Sequence, residues 1–328
     1  MEIFQQEFLK FYAENYWHYR FAFVFLLAHT AEGFQQIEEL RQLQHGLFPP
    51  AQLHEEFGWS KKDVPAIQRF IFSAGTFLLN MGNIKEKQNL KRLEVRNLTD
   101  YNRKILFEGM RGTAEIHMPD LEAIEKKCRL EEEDLLPKDP LFNAISTVVA
   151  EEGLWDASLE KIAREAGMSK SSLYFYFQNR NEMLWKMIDR ERHQLGTLFL
   201  DRTKKLDSFE EMLYAYMAIF TWYLKKRPEF LAVLNWFRFQ QFHIEVPQTL
   251  RGGMEKYIKF IENGEQSAKL RIDLFDKNVK ARWINYLLIQ EVNNMYWVEG
   301  LSDKIWPSIR TVYKLFLFGV RGVEDEKK

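Results

Sequence analysis

Ser158, Gly167, Ser169 and Asn179 punctuate one stretch of this 328-residue chain so closely that few folds can accommodate it. A serine or asparagine at a helix N-cap accepts a hydrogen bond from the first turn, and a glycine just past the last turn supplies the left-handed residue that ends it. Between Ser158 and Gly167, the residues Leu159, Ile162, Ala163 and Ala166 fall at i, i+3, i+4 and i+7, which predicts a short helix with one buried face. Ser169 at once starts another helix running to Phe177, and Asn179 with Glu182 opens a longer one. Two short helices joined by a tight glycine turn make a helix-turn-helix. Upstream, Asp139 before Pro140 caps a preceding helix with Leu141, Ile145, Val148 and Val149 on one face, and Gly153 is expected to stop it.

The start of the third helix is where base edges in a major groove would be met. Lys170, Ser171 and Ser172 lie in that first turn, a lysine being able to donate to guanine O6 and N7 and a serine to either base type. The hydroxyls of Ser158, Ser169, Tyr174 and Tyr176, and Arg180 at the next helix start, suit phosphate oxygens, which position a head without reading sequence. Leu173 and Phe177 are expected in the core.

Residues 158–184, SLEKIAREAGMSKSSLYFYFQNRNEML, closely resemble the DNA-binding head of the TetR family of bacterial transcriptional regulators. In that pattern Ile162, Ala163 and Ala166 pack the second helix, Gly167 makes the turn, and Leu173, Tyr174, Tyr176 and Phe177 belong to the recognition helix, with Tyr176 where many members have histidine. The resemblance implies an all-α regulator, more often a repressor than an activator, which binds double-stranded operator DNA and responds to a small effector.

Beyond the head, Ser208 with Glu211 is a capping box, Pro228 breaks a long helix, Pro247 opens another, and 276–298 and 302–318 form a last pair. The stripes Ile284, Leu287, Leu288, Met295, Val298 and Ile309, Val312, Tyr313, Phe316, Val320 line these two. Their arrangement is similar to the TetR regulatory domain, whose last two helices usually pair with a partner's in a four-helix bundle. Rings at Trp222, Trp236, Phe237, Phe239, Trp283, Tyr286 and Trp297 mark the expected pocket for a hydrophobic effector.

Residues 1–112 carry a collinear echo of this domain. Trp17 matches Trp222, Phe34-Gln35-Gln36 matches Phe239-Gln240-Gln241, and Ile105-Leu106-Phe107-Glu108-Gly109-Met110-Arg111-Gly112 matches Leu315-Phe316-Leu317-Phe318-Gly319-Val320-Arg321-Gly322. The fold expected is therefore all-α, a helix-turn-helix head plus two TetR-like regulatory domains. Its parts are a regulatory copy lacking its own head (1–112), a linker (113–138) with the acidic run Glu131–Asp134, the head (139–206), an effector-binding and dimerisation domain (207–322) and a tail (323–328). If 64–81 and 99–109, with the stripe Ile67, Phe70, Ile71, Ala74, Leu78 and Met81, pack against the last two helices, the bundle forms within one chain as a pseudo-dimer. The alternative is a homodimer through the last two helices.

Other classes find little support. A net charge of -1 excludes binding by bulk basic charge, so nucleic acid must meet a local patch. The seven histidines show no paired-ligand spacing and there is no P-loop or G-x-S-x-G motif, so no enzyme, metal or cofactor is expected. One cysteine, Cys128, points to a reducing cytoplasm, and the apolar run 21–28 is too short to span a bilayer. The competing reading is a protein-interaction scaffold built from duplicated domains with weak residual DNA binding, which a small specificity ratio on operator DNA would reveal.

Overall fold

The computed structural model describes parts of 55–77, residues 104–111, most of 115–234, and residues 277–299 and 303–323. The chain divides into two compact units, one built from 1–23, 36–119 and 261–328, the other from 24–35 and 120–260. Among the described residues no helix is long and apolar enough to cross a membrane, and no cluster of His, Cys, Asp and Glu could hold a metal ion.

The second unit opens with α1 (Leu121–Lys127), capped by Asp120, whose Oδ1 accepts from the Ala123 amide at 3.0 Å. A single 3-10 turn (Glu132–Asp134) follows, then α2 (Pro140–Asp156), α3 (Leu159–Glu165), α4 (Lys170–Tyr176), α5 (Arg180–Arg202) and α6 (Phe209–Lys226). Asp139 caps α2 as its position before Pro140 predicts. Gly153, expected to stop this helix, lies inside it. A glycine costs a helix about 1 kcal/mol relative to alanine but ends it only by turning left-handed. Ser208 and Glu211 form the predicted capping box at α6: the Glu211 amide donates to Ser208 Oγ at 3.1 Å and the Ser208 amide to Glu211 Oε2 at 3.2 Å. Those contacts hold the Glu211 carboxyl below its ordinary range.

The segment expected as a linker is folded here. Helix α1 packs on α6, where Trp222 Nε1 donates to the Glu125 carbonyl at 3.2 Å and Tyr214 donates its hydroxyl to the Glu125 carboxylate. Leu121, Ile124, Cys128, Leu130 and Leu135 are buried. Three arginines then fasten the chain ahead of α2. Arg202 pairs with Asp134 at 2.6 Å, Arg227 donates to the Leu136 carbonyl at 2.6 Å, and Arg190 reaches Asp139 at 3.0 Å and the Pro137 carbonyl at 3.2 Å. The acidic run itself stays exposed at Glu131, Glu132 and Glu133, with Lys226 Nζ 3.6 Å from Glu131 and Glu132, while Asp134 is half-buried against Arg202.

The first unit is a helical bundle. Helices α7 (Lys277–Glu299) and α8 (Ile305–Phe318) pack together, and a 3-10 turn (Gly319–Gly322) closes the second. Against them lie helical residues 64–71 and 104–108. Trp283 is fully buried, its ring centroid 5.8 Å from Phe70, 6.2 Å from Phe77 and 5.1 Å from Phe316. The Met110 amide donates to the Phe316 carbonyl at 2.9 Å and the Arg111 amide to that of Leu317 at 2.7 Å. Of the stripes read from sequence, Ile67, Phe70, Ile284, Leu287, Leu288, Met295, Ile309, Val312, Tyr313, Phe316 and Val320 are buried here. Ala74, Leu78 and Met81 lie outside the described residues.

At the heart of this bundle the backbones of Gly109 and Gly319, which occupy matching positions in the two sequence motifs, come into contact. Gly109 (φ 62°) and Gly319 (φ 60°) are left-handed, and a Cβ on Gly109 would sit 2.4 Å from the backbone of Leu317, Phe318 and Gly319. A Cβ on Gly319 would sit 2.5 Å from the Leu106 carbonyl oxygen. Gly109→Ala or Gly319→Ala should therefore lower stability by more than about 2 kcal/mol, the steric clash adding to the strain of positive φ. Gly167 is equally left-handed (φ 65°) but has nothing within 4 Å of the added Cβ, so Gly167→Ala should cost only ~1 kcal/mol. Thermal unfolding of the three variants tests this ordering. Burial pushes the Cys128 thiol up to about 11, so iodoacetamide at pH 8 should spare native Cys128 and label it on denaturation.

Candidate nucleic-acid interface

The turn between α3 and α4 is built by backbone hydrogen bonds that the sequence predicts residue by residue. Ser158 Oγ caps α3 by accepting from the Lys161 amide at 3.2 Å. At the other end the Met168 amide donates to the Ala163 carbonyl (2.8 Å) and the Gly167 amide to that of Arg164 (3.1 Å), the paired closure of a Schellman motif. Ser169 Oγ then caps α4 by accepting from the Ser172 amide at 3.0 Å, and the two hydroxyls meet at 2.7 Å. Asn179 Oδ1 caps α5 through the Glu182 amide at 2.9 Å.

Helix α4 is anchored by its inward face alone. Leu173 and Phe177, four residues apart, are buried, while Lys170, Ser171, Ser172, Tyr174, Phe175 and Tyr176 are exposed. The structure thus gathers Ser169, Lys170, Ser171, Ser172, Tyr174 and Tyr176 on one short helix and its cap. Ser158 is half-buried at the start of α3, and Arg180 is the first residue of α5. Lys186 Nζ donates to the Tyr176 carbonyl at 3.1 Å and lies 5.4 Å from the Phe177 ring, holding the end of α4 against α5.

Two features escape the reading of sequence. Phe175 is 87% exposed, against 46% for Tyr174 and 55% for Tyr176, and its ring meets that of Tyr176 edge-on at 5.8 Å. Its position midway between Leu173 and Phe177 already places it on the opposite face, a signal present in the spacing. An apolar ring so exposed in a groove-reading helix suits a thymine methyl. The second feature is Glu160 on α3, which pairs with Lys170; the hydrogen bond raises the lysine's pKa and lowers the carboxyl's. Lys170 also stands 5.9 Å above the Tyr174 ring.

Three of the rings expected to line an effector pocket fall within the described residues, Trp283 and Tyr286 in the first unit and Trp222 in the second. Trp283 and Tyr286 fill the bundle of the first unit, where Tyr286 packs 5.5 Å from Phe77. Trp222 belongs to α6 of the second unit, half-buried, with Lys225 Nζ at 4.6 Å and Arg129 at 5.6 Å from its ring. Trp236, Phe237 and Phe239 lie outside the described residues, as does the side chain of Trp297.

The arrangement of α2–α4 defines a helix-turn-helix DNA-binding head. Residues 141–186 match the model of the bacterial regulatory proteins of the tetR family, and the chain carries a TetR-family head. An HTH-type transcriptional regulator of Haemophilus influenzae is 28% identical over 101 residues, which cover 30% of this chain and 52% of that one. The HTH-type transcriptional regulator BetI of Proteus mirabilis is 34% identical over 76 residues, covering 23% and 38%. This chain therefore spans about half, or less, of these relatives' own length. Among solved structures, the transcriptional regulator FadR from Bacillus subtilis in complex with stearoyl-CoA aligns with a TM-score of 0.45 at 19% identity, covering 55% of this chain and 97% of that one. The fatty acid degradation regulator FadR from Bacillus halodurans gives 0.43 at 18%, covering 53% and 97%.

If Lys170 reads a base, Lys170→Ala should weaken binding to the specific site roughly ten- to a hundredfold and relax preference at one position. Glu160→Gln should tighten binding to all sequences, because it removes a carboxylate beside the phosphates and releases the lysine. Titrations on specific and random duplexes distinguish the two, and an equal loss on both for Lys170→Ala would remove that residue from the reading role.

Proposed function

We propose that the protein is a TetR-type transcriptional repressor that binds operator DNA through the α3–α4 head. The observation that carries this is the division of α4, which buries Leu173 and Phe177 and presents Lys170, Ser171, Ser172, Tyr174, Phe175 and Tyr176 outward. Lys170, Ser171, Ser172 and Phe175 take the base edges, and Ser158, Ser169, Tyr174, Tyr176 and Arg180 the phosphates.

The regulatory part is an intramolecular pseudo-dimer. This reading is supported by helical residues 64–71, Phe77 and residues 104–111 lying against α7 and α8, with the equivalent glycines of the two motif copies in contact. A small hydrophobic effector then controls the head. It releases DNA only by favouring a conformation unsuited to the groove, since equal affinity for both states shifts nothing.

Light scattering combined with footprinting tests the reading. The expected result is the mass of one chain and protection of one half-site, with tryptophan fluorescence quenched by apolar compounds that also lower operator affinity. An obligate dimer protecting two half-sites about 34–36 Å apart would replace the pseudo-dimer with ordinary pairing. Weak binding, equal on operator and random DNA, would favour the scaffold.

A further inference from the structure

Glu291 on α7 is a carboxylate with 2% exposure in the helical bundle of the first unit. Its Oε1 accepts from Arg69 Nε at 2.9 Å, and its Oε2 accepts from Arg69 Nη2 at 2.8 Å and from Ser308 Oγ at 2.5 Å. Arg69 Nη2 donates also to Ser308 Oγ at 2.8 Å. Ser308 is on α8, beside Glu291 in the same helical pair, whereas Arg69 comes from the first repeat, 222 residues away in sequence. A second polar contact crosses the same boundary: Thr311 Oγ1 on α8 donates to Asp63 Oδ1 at 2.6 Å.

A buried ion pair seldom adds stability over well-packed apolar residues, yet removing one partner is strongly destabilising because the other charge is left uncompensated. Such a pair therefore selects its partner more than it strengthens the association. We propose that the Arg69–Glu291 pair makes the α7–α8 face specific for the first repeat of its own chain and rejects a second copy of α7–α8. A second copy brings its own Glu291 and Ser308 to that face but not Arg69, so both carboxylates would be buried without their guanidinium forks. This inference rests on the internal pairing proposed above and names the residues that enforce it.

Three variants of the full-length chain test it, each followed by thermal melting and by light scattering over a wide concentration range. Arg69→Glu, which sets two carboxylates face to face, should lower the melting midpoint by several degrees without raising the mass, since Glu291 still bars a second copy. The exchange Arg69→Glu with Glu291→Arg should recover the midpoint and remain a single chain. Because the exchanged pair could fail to fold for reasons of shape, the apolar double variant Arg69→Met with Glu291→Met provides a second measure. It should melt close to wild type yet form dimers as concentration rises, the discrimination being lost while the packing is kept. Wild type and the apolar variant both remaining single chains at every concentration would overturn the inference. A wild-type chain that is itself a dimer would instead overturn the internal pairing.

Discussion

The approach of Gly109 to Gly319 sets the geometry of the bundle. Two backbones come within the space of one methyl group, which only glycine permits, and both residues hold a left-handed φ that other side chains resist. From that crossing follow the two amide bonds to Phe316 and Leu317 and the meeting of Phe70 and Phe77 with Trp283. The apolar faces of α7 and α8 require a cover, and helical residues 64–71, Phe77 and residues 104–111 supply it. Across this contact the half-buried Arg69 holds the buried carboxylate of Glu291, which would be uncompensated without it.

The head rests on local chemistry. Ser158, Ser169 and Asn179 each supply an oxygen to the first turn of a helix, and Gly167 closes α3 with two backbone bonds, so the turn is specified within a few residues of itself. Because caps and a Schellman closure define the backbone, side chains on the outer face of α4 are left for function. The exposed Glu160–Lys170 pair illustrates the compromise: in the absence of DNA it gives the lysine a partner, and beside phosphates that partner becomes a like charge.

That difference explains what was legible in the sequence. Caps at Asp139, Ser158, Ser169, Asn179 and Ser208 are short-range rules, and the structure has each helix start where the rule puts it. Gly153 misled because a glycine inside a helix is identical in sequence to one beyond its end; only the φ it adopts tells them apart. That the chain just before α2 is held in place was not legible, because Arg202, Arg190 and Arg227, which bind Asp134, Asp139 and the Leu136 and Pro137 carbonyls, are remote in sequence. Trp283 has the same periodicity whether it lines a ligand cavity or a bundle core, and only its neighbours Phe70, Phe77 and Phe316 decide. Arg69 and Glu291 carried no sequence signal, since a charge on an apolar stripe is informative only once its partner is found. Phe175 was readable, being two residues from each of the buried anchors Leu173 and Phe177.

The route by which the second unit could transmit a signal to its head is narrow, and its residues are visible. Arg190 on α5 and Arg227, just beyond α6, both hold the segment 136–139 that leads into α2. Between the helices, the Tyr223 hydroxyl meets the Glu191 carboxylate and Gln194 Oε1 (2.8 Å), and burial with the nearby Glu191 charge raises the phenol's pKa so that it stays a neutral donor. A cleft at this junction is lined by Phe142, Ser146, Met187, Gln194 and Phe230, where Ser146 Oγ and Gln194 Nε2 are buried without hydrogen-bond partners. A shift of α6 would pull on Arg227 and, through Leu136, Pro137 and Asp139, on the start of α2. An effector acting on this head therefore needs to favour one placement of α6 over another, and the free energy available for moving α4 is limited to that preference.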